Sequence, residues 1–95
     1  MDKLEAVDIE QRMEAFPEWS VSGETLQRTL NFDDFVAAMA FVNRLANLAE
    51  SHQHHPDIMI RYNKVTLTLS THDAGGLTEK DFEFAKAMDA GLAVT

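Results

Sequence analysis

The sequence predicts an α+β fold of two layers, with elements in the order α-β-β-α-β-β-α and a four-stranded antiparallel sheet that carries the helices on one face. Two segments, residues 34–51 and 78–91, repeat apolar residues at helical spacing, and a shorter helical pattern opens the chain. Residues 65–70 alternate apolar and polar side chains, as a half-buried strand does, within a strand predicted over residues 65–71. Turn-forming residues join the strand-like segments in pairs, which predicts two hairpins. The 95 residues fit a single domain, 1–95.

The first helix is predicted from Ile9, Met13 and Phe16, which recur at helical spacing. Asp8 is its predicted N-cap. Pro17 ends it, because the residue before a proline disfavours helical dihedral angles.

The first hairpin combines a strand at Trp19 and Val21 with a second strand at residues 26–32, joined by a turn at residues 22–24. Leu26, Leu30 and Phe32 share one face of the second strand. Arg28 falls on that same face, which we interpret as the mark of a sheet edge or an interface.

The longest helix is predicted over residues 34–51, with Asp33 as its N-cap. Its apolar residues form two stripes that together cover more than half of its circumference, whereas a helix packed on one sheet needs a stripe only about 100° wide. We therefore expect a second face of this helix to be buried against another subunit. The stripes are Phe35, Met39, Val42, Ala46 and Ala49, and Ala38, Phe41, Leu45 and Leu48.

The second hairpin is predicted to follow Pro56, which breaks the helical pattern. Residues 58–62 and 65–71 form its strands, with a turn at residues 63–64, and Tyr62 is expected to pack with the apolar side chains of its strand.

The last helix is predicted to begin at Thr78, with Asp81 as its capping-box partner. Gly91 is its predicted C-cap, and residues 92–95 are expected to fray.

Composition excludes several classes of protein. The net charge is −8, from 16 acidic and 8 basic residues, so phosphate backbones would repel the chain and direct nucleic-acid binding is not expected. No apolar run is long enough to span a membrane, and no signal peptide is visible, so we expect a cytoplasmic protein. Because the chain has no cysteine, it has neither a thiolate nucleophile nor a cysteine zinc site.

Three of the four histidines lie within four positions, at His52, His54 and His55, and the fourth is His72. His52 is interpreted as a surface residue at the end of the long helix, where an imidazole suits the helix dipole. A metal site is disfavoured, since neighbouring side chains such as those of His54 and His55 diverge. Acid–base chemistry without a metal suits these residues better, because histidine both donates and accepts protons near neutral pH. The residues alone leave the substrate open, although elimination of water fits them.

The spacing of these residues resembles the signature of the pterin-4a-carbinolamine dehydratases. The resemblance as a whole spans about Trp19, in the first strand, to Met88, which is most of the chain, and the signature positions lie within this range. They are Glu50, His54-His55-Pro56, Tyr62, His72 and Asp81, with supporting segments at Phe32-Asp33-Asp34-Phe35, Tyr62-Asn63-Lys64-Val65 and Leu69-Ser70-Thr71-His72.

The resemblance implies an enzyme that dehydrates 4a-hydroxytetrahydropterin to quinonoid dihydropterin in tetrahydrobiopterin recycling, with no metal or organic cofactor. It implies His54, His55 and His72 as catalytic residues. It also implies contacts with the pterin substrate around five further positions: Glu50, Pro56, Thr71, Asp73 and Asp81. Two of these have structural alternatives, since Glu50 is equally explained as a solvated helix-end acid and Asp81 as a helix cap.

The resemblance also implies partners. A homo-oligomer, either a dimer or a tetramer, is expected through the helix at residues 34–51 and a sheet edge. Some family members bind the helical dimerisation segment of a homeodomain transcription activator through the same helix. An interaction module of that kind is therefore the alternative function.

Overall fold

The computed structural model describes residues 2–92 of the chain, so the expectation for residues 93–95 lies outside the described residues. The elements follow the predicted order, with one 3-10 helix inserted before the last α-helix. They are α1 (Ala6–Met13), β1 (Ser20–Ser22), β2 (Thr25–Asn31), α2 (Phe35–His52), β3 (Asp57–Arg61), β4 (Lys64–Leu69), the 3-10 helix (His72–Ala74) and α3 (Glu79–Gly91).

The four strands form one antiparallel sheet in the order β1-β2-β4-β3. Leu26 lies opposite Leu69 and Leu30 lies opposite Val65, and all four side chains are buried. The other face of the same strands is polar: Thr29 lies opposite Thr66, and their hydroxyls are 2.9 Å apart. Because side chains alternate between the two faces of a strand, the helices pack on the leucine face alone, as predicted.

Arg28 lies on the apolar face, opposite Leu67 of β4. On its other side β1 has already ended, because β1 pairs only with residues 25–27 of β2, so Arg28 lies on a stretch of β2 that has no β1 partner, in line with the edge interpretation. The Arg28 Nη1 donates to Asp89 Oδ1 of α3 at 2.6 Å. The Trp19 Nε1 donates to the same carboxylate, at 3.1 Å from each oxygen. The sheet accommodates a cation on its covered face because α3 places a carboxylate above it.

The helix ends differ from the predicted ones in their details. α1 has Glu5 at its N-cap position, and Asp8 lies inside its first turn. α2 is capped by Asp34 and not by Asp33, because the Asp34 backbone is extended and its Oδ1 accepts from the Ala37 N–H at 2.8 Å. α3 includes Gly91 as its last residue, so its C-cap is Leu92.

The second hairpin turns one residue earlier than predicted, at Tyr62 and Asn63, since Arg61 already pairs with Lys64. A two-residue hairpin loop requires left-handed backbone, and Tyr62 supplies it with a φ of 53°. Its side chain is 67% exposed, so the expectation that Tyr62 packs in its strand is wrong.

α2 buries one face and leaves the other open within this chain. Its buried side chains are Ala38, Phe41, Leu45 and Ala49. On the remaining surface, Phe35 is 48% exposed and Val36 is 76% exposed. The sheet therefore accounts for only part of the apolar surface that the sequence places on this helix.

Among residues 2–92, no helix combines the length and the apolar character that crossing a membrane requires.

Candidate functional site

The histidine-rich segment lies where the chain leaves α2. The helix ends at His52, four residues before Pro56, so the expectation that the proline ends the helix is wrong. Gln53 ends it by adopting a left-handed backbone with a φ of 50°, after which the His54 N–H donates to the Ala49 carbonyl at 3.1 Å. His54 and His55 consequently lie in a short loop that leads, through the half-buried Pro56, into β3.

His54 is anchored by a buried carboxylate. Its side chain is only 9% exposed, that of Asp81 is fully buried, and His54 Nε2 lies 2.6 Å from Asp81 Oδ1. The ring also packs against the edge of Phe84, with the ring centres 6.2 Å apart. Asp81 belongs to the first turn of α3, so this contact joins the loop after α2 to the start of α3.

The second oxygen of Asp81 is held by the capping box of α3. Oδ2 accepts from the Thr78 N–H at 2.9 Å and from the Thr71 hydroxyl at 2.9 Å. The Thr78 side chain caps the helix in turn, and its hydroxyl lies 2.8 Å from that of Thr71. The predicted capping box is confirmed. From the sequence, a helix cap and a site residue were alternative interpretations of Asp81. In the structure the same carboxylate takes part in the cap of α3 and also contacts His54.

His55 points elsewhere and contacts a different carboxylate. Its Nε2 lies 2.6 Å from Glu50 Oε2 on the last turn of α2. Both side chains are open to water, with 63% of His55 and 77% of Glu50 exposed. The neighbouring imidazoles of His54 and His55 therefore diverge, as the sequence predicted for adjacent residues.

His72 and Asp73 are exposed and begin the 3-10 helix. Thr71, the residue before them, is fixed by a backbone hydrogen bond from its N–H to the Gly76 carbonyl at 3.0 Å. Because the Thr71 side chain also reaches Asp81, the loop that carries His72 meets the loop that carries His54 at this one carboxylate. Sequence reasoning missed the hydroxyl of Thr78 as part of this cluster, although its capping-box spacing to Asp81 was visible.

Three predicted site residues are thus joined by contact: His54, Thr71 and Asp81. Glu50 and His55 form a separate exposed pair. His52 is half-buried at the end of α2, with its ring 5.8 Å from that of Phe84. Within residues 2–92, no three His, Asp or Glu side chains are grouped as a metal site would require.

Two grooves lie elsewhere on the surface. One, of about 610 Å³, is bounded by residues 3–13, the β1–β2 turn and Leu77. The other, of about 660 Å³, lies between α1 and α3. None of the four histidines lines either groove, so the histidine cluster is a separate feature of the surface.

The chain matches the family model of the pterin 4 alpha carbinolamine dehydratases over residues 2–91. It belongs to this family. A protein of Acidobacterium capsulatum, provisionally named a pterin-4-alpha-carbinolamine dehydratase, is 52% identical over 92 residues, which cover 97% of this chain and all of that one. A relative from Cyanothece with the same provisional name is also 52% identical, over 90% of this chain and 88% of its own length.

Solved structures agree with this assignment. The crystal structure of a transcriptional coactivator/pterin dehydratase from Brucella melitensis superposes with a TM-score of 0.86 at 35% identity, over 94% of this chain and 97% of that one. A pterin dehydratase-like protein described as a RuBisCO assembly factor in the alpha-carboxysome gives a TM-score of 0.63 at 26% identity, over 81% and 89% of the two chains. The predicted resemblance and the predicted fold class are therefore confirmed.

Proposed function

We propose that this protein is a 4a-hydroxytetrahydrobiopterin dehydratase, a hydro-lyase that works in tetrahydrobiopterin recycling in the cytoplasm by metal-free acid–base catalysis. One observation carries the proposal beyond family membership. Asp81 joins the two loops that bear the family's three histidine positions, and it anchors the imidazole of His54. A proton-transfer site needs positioned imidazoles, and this arrangement positions at least one of them.

The reaction requires two proton movements. The bond between C4a and the hydroxyl oxygen breaks as water leaves, the N5 proton is lost, and a double bond forms between C4a and N5. Because hydroxide is a poor leaving group, an acid must protonate the departing oxygen while a base takes the N5 proton. His54, His55 and His72 are the proposed acids and bases, and each can serve in either role near neutral pH.

The remaining predicted site residues act around these three in the proposal. Glu50 orients His55 through the contact between Oε2 and Nε2. Pro56, Thr71 and Asp73 border the histidines in the chain and contribute pterin contacts, including contacts through backbone groups. Asp81 is fully buried, and both of its oxygens are in hydrogen-bond contact with other residues. We therefore propose that it does not touch the pterin itself and acts on it only by positioning His54.

A dehydratase assay tests this proposal. Purified protein is expected to accelerate formation of quinonoid dihydropterin from the 4a-hydroxy adduct, and this acceleration should survive treatment with a chelator. The double variant His55→Ala/His72→Ala should lose it while its circular dichroism stays unchanged, because both side chains are exposed. His52→Ala is the matched control, since it removes an imidazole outside the proposed catalytic set. Full activity in the double variant would refute the assignment.

We also propose that the open face of α2 joins copies of this chain into a dimer or tetramer, with a sheet edge as a second contact. The exposed side chains of Phe35 and Val36 support this, because apolar groups gain free energy when another surface removes them from water. Sedimentation of Val36→Glu at micromolar concentration should show smaller particles than the wild type, whereas Gln11→Glu, which adds the same charge on α1, should not. A monomeric wild type would contradict the proposal.

The same face of α2 supports a second candidate function, as a docking surface for a helix of another protein. The Brucella melitensis structure is described as a transcriptional coactivator as well as a pterin dehydratase. Mixed oligomers of this chain with a helical partner, abolished by Val36→Glu, would support this function. Homo-oligomers alone under every mixing condition would contradict it.

A further inference from the structure

The hydrogen bonds around Asp81 determine which nitrogen of His54 carries a proton. Oδ2 of this carboxylate receives two donors, the Thr78 N–H and the Thr71 hydroxyl. The Thr71 hydroxyl is available to donate because its oxygen can accept from the hydroxyl of Thr78, whose own oxygen accepts from the Lys80 N–H at 3.2 Å. The donors therefore run in one direction, from the first turn of α3 towards Asp81.

Both hydrogen bonds at Asp81 Oδ2 leave that oxygen an acceptor. A backbone N–H can only donate, and the Thr71 hydroxyl uses its single proton as the donor. The one remaining position for a proton is between Asp81 Oδ1 and His54 Nε2, which are 2.6 Å apart. An imidazole is the stronger base of these two groups, so the proton belongs to Nε2. Because a neutral imidazole carries only one N–H, Nδ1 is then left as an acceptor.

The two ring nitrogens of His54 differ in their surroundings. Nε2 faces the fully buried Asp81, whereas Nδ1 makes no hydrogen bond to any residue in the range 2–92. In that same part of the chain, every fully enclosed side-chain nitrogen or oxygen has a hydrogen-bond partner. Nδ1 is therefore not fully enclosed, although the ring as a whole is largely buried.

We propose that Asp81, Thr71 and Thr78 are positioning residues that hold His54 as the Nε2–H tautomer, so that His54 acts in the dehydration as a proton acceptor through Nδ1. This rests on the proposed dehydratase function and deepens it. Nδ1 takes a proton from the pterin, Asp81 stabilises the imidazolium that forms, and the proton for the departing hydroxyl comes from a different group. His55 and His72 are the histidines left for that donor role.

The tautomer can be measured without any activity. In protein labelled with nitrogen-15 at histidine, two-bond proton–nitrogen spectra distinguish protonated from unprotonated ring nitrogens, and His54→Gln identifies the His54 signals by their loss. Above the pH at which the ring becomes neutral, we expect a protonated Nε2 and an unprotonated Nδ1. An unprotonated Nε2, or a ring that stays doubly protonated over the whole pH range of activity, would overturn the inference.

Asp81→Asn tests whether the tautomer of His54 matters for the reaction. The donors at the Oδ2 position require the amide oxygen there, so the amide NH₂ is directed at His54 Nε2 and forces the proton onto Nδ1. We expect the spectrum to report this exchanged tautomer, with kcat falling roughly 10²- to 10⁴-fold, the usual contribution of acid–base catalysis, and with KM changing little. Asp34→Asn makes the same chemical change at the N-cap of α2 and should retain wild-type kcat.

Further variants separate positioning from mere packing. Thr71→Val removes one donor to Asp81 and should lower kcat, and Thr71→Ser, which restores the hydroxyl, should recover it. If Asp81→Asn exchanges the tautomer but keeps full kcat, the acceptor role of Nδ1 is refuted. If the wild type shows the expected tautomer but no dehydratase activity, the proposed function fails, and so does the catalytic role, while the positioning by Asp81 stands on the spectrum alone.

Discussion

Replacing Asp89 by alanine should destabilise the fold more than breaking an exposed surface pair such as Lys3–Glu24 does. The substitution removes the acceptor shared by Arg28 and Trp19. The Arg28 side chain is only 14% exposed and Trp19 is 4% exposed, so neither group can turn to water without moving the sheet or α3. A nearly enclosed guanidinium and an indole N–H would both lose their partner.

The size of the effect follows from these exposures. Breaking a buried ion pair costs about 3–5 kcal/mol. Asp89 is 31% exposed, so water already screens the pair and reduces this to roughly 2–3 kcal/mol. The stranded indole N–H adds about 1 kcal/mol, which gives a total of about 3–4 kcal/mol. A chain of 95 residues has a total stability of roughly 5–14 kcal/mol, so this loss is a large share of it.

Urea unfolding monitored by circular dichroism at one fixed protein concentration measures this loss. Glu24→Ala is the matched control: it breaks the exposed Lys3–Glu24 pair, whose charged atoms are 3.6 Å apart, and should cost about 0–1 kcal/mol. In Arg28→Met/Asp89→Ala no charge is left unpaired, so more than half of the lost stability should return. The reasoning is refuted if the free energy of unfolding of Asp89→Ala lies within about 1 kcal/mol of the wild-type value, or if the double variant is no more stable than Asp89→Ala.

Two further predictions concern burial and backbone strain. His54→Ala should lower the free energy of unfolding by about 3 kcal/mol, because it leaves the buried Asp81 carboxylate without its partner, whereas His72→Ala, at an exposed site, should change it by no more than about 0.5 kcal/mol. Urea unfolding of the two variants measures this difference, and equal midpoints would contradict the prediction. Tyr62→Asn should raise the stability by about 1 kcal/mol, because asparagine tolerates the left-handed backbone at φ 53° better than tyrosine does; a lower melting temperature than that of the wild type would show that the tyrosine ring makes a stabilising contact.

The order of elements could be predicted because each one is encoded locally. β4 alternates without exception from Val65 to Leu69, and its apolar residues are the buried ones. The capping box at Thr78 and Asp81 likewise depends on residues only three positions apart. Patterns of this kind are set by side-chain direction and by local hydrogen bonds, so they survive the packing of the rest of the chain.

Contacts between residues far apart in the chain, and one unusual backbone conformation, could not be predicted from the sequence. The ion pair of Arg28 could not be predicted, because its partner, Asp89, lies 61 positions away in the sequence. The predicted end of α2, at residue 51, lies one residue from the observed end, but the cause of the ending could not be predicted: Gln53 adopts a left-handed backbone that asparagine or glycine would have signalled and glutamine does not. The contact of His54 with Asp81 spans 27 positions and was likewise invisible to local reasoning.

The placement of Asp81 in both the cap of α3 and the contact with His54 couples two properties that are usually separable. The free energy that holds the first turn of α3 in place is partly the same free energy that orients the imidazole. Local opening of that turn would release the ring, so the proposed acid–base function would be lost through a fluctuation much smaller than global unfolding. The coupling is reciprocal: a ligand that binds only the oriented His54 imidazole would also stabilise the first turn of α3. Such a ligand would slow amide hydrogen exchange at Thr78, whose N–H donates to Asp81.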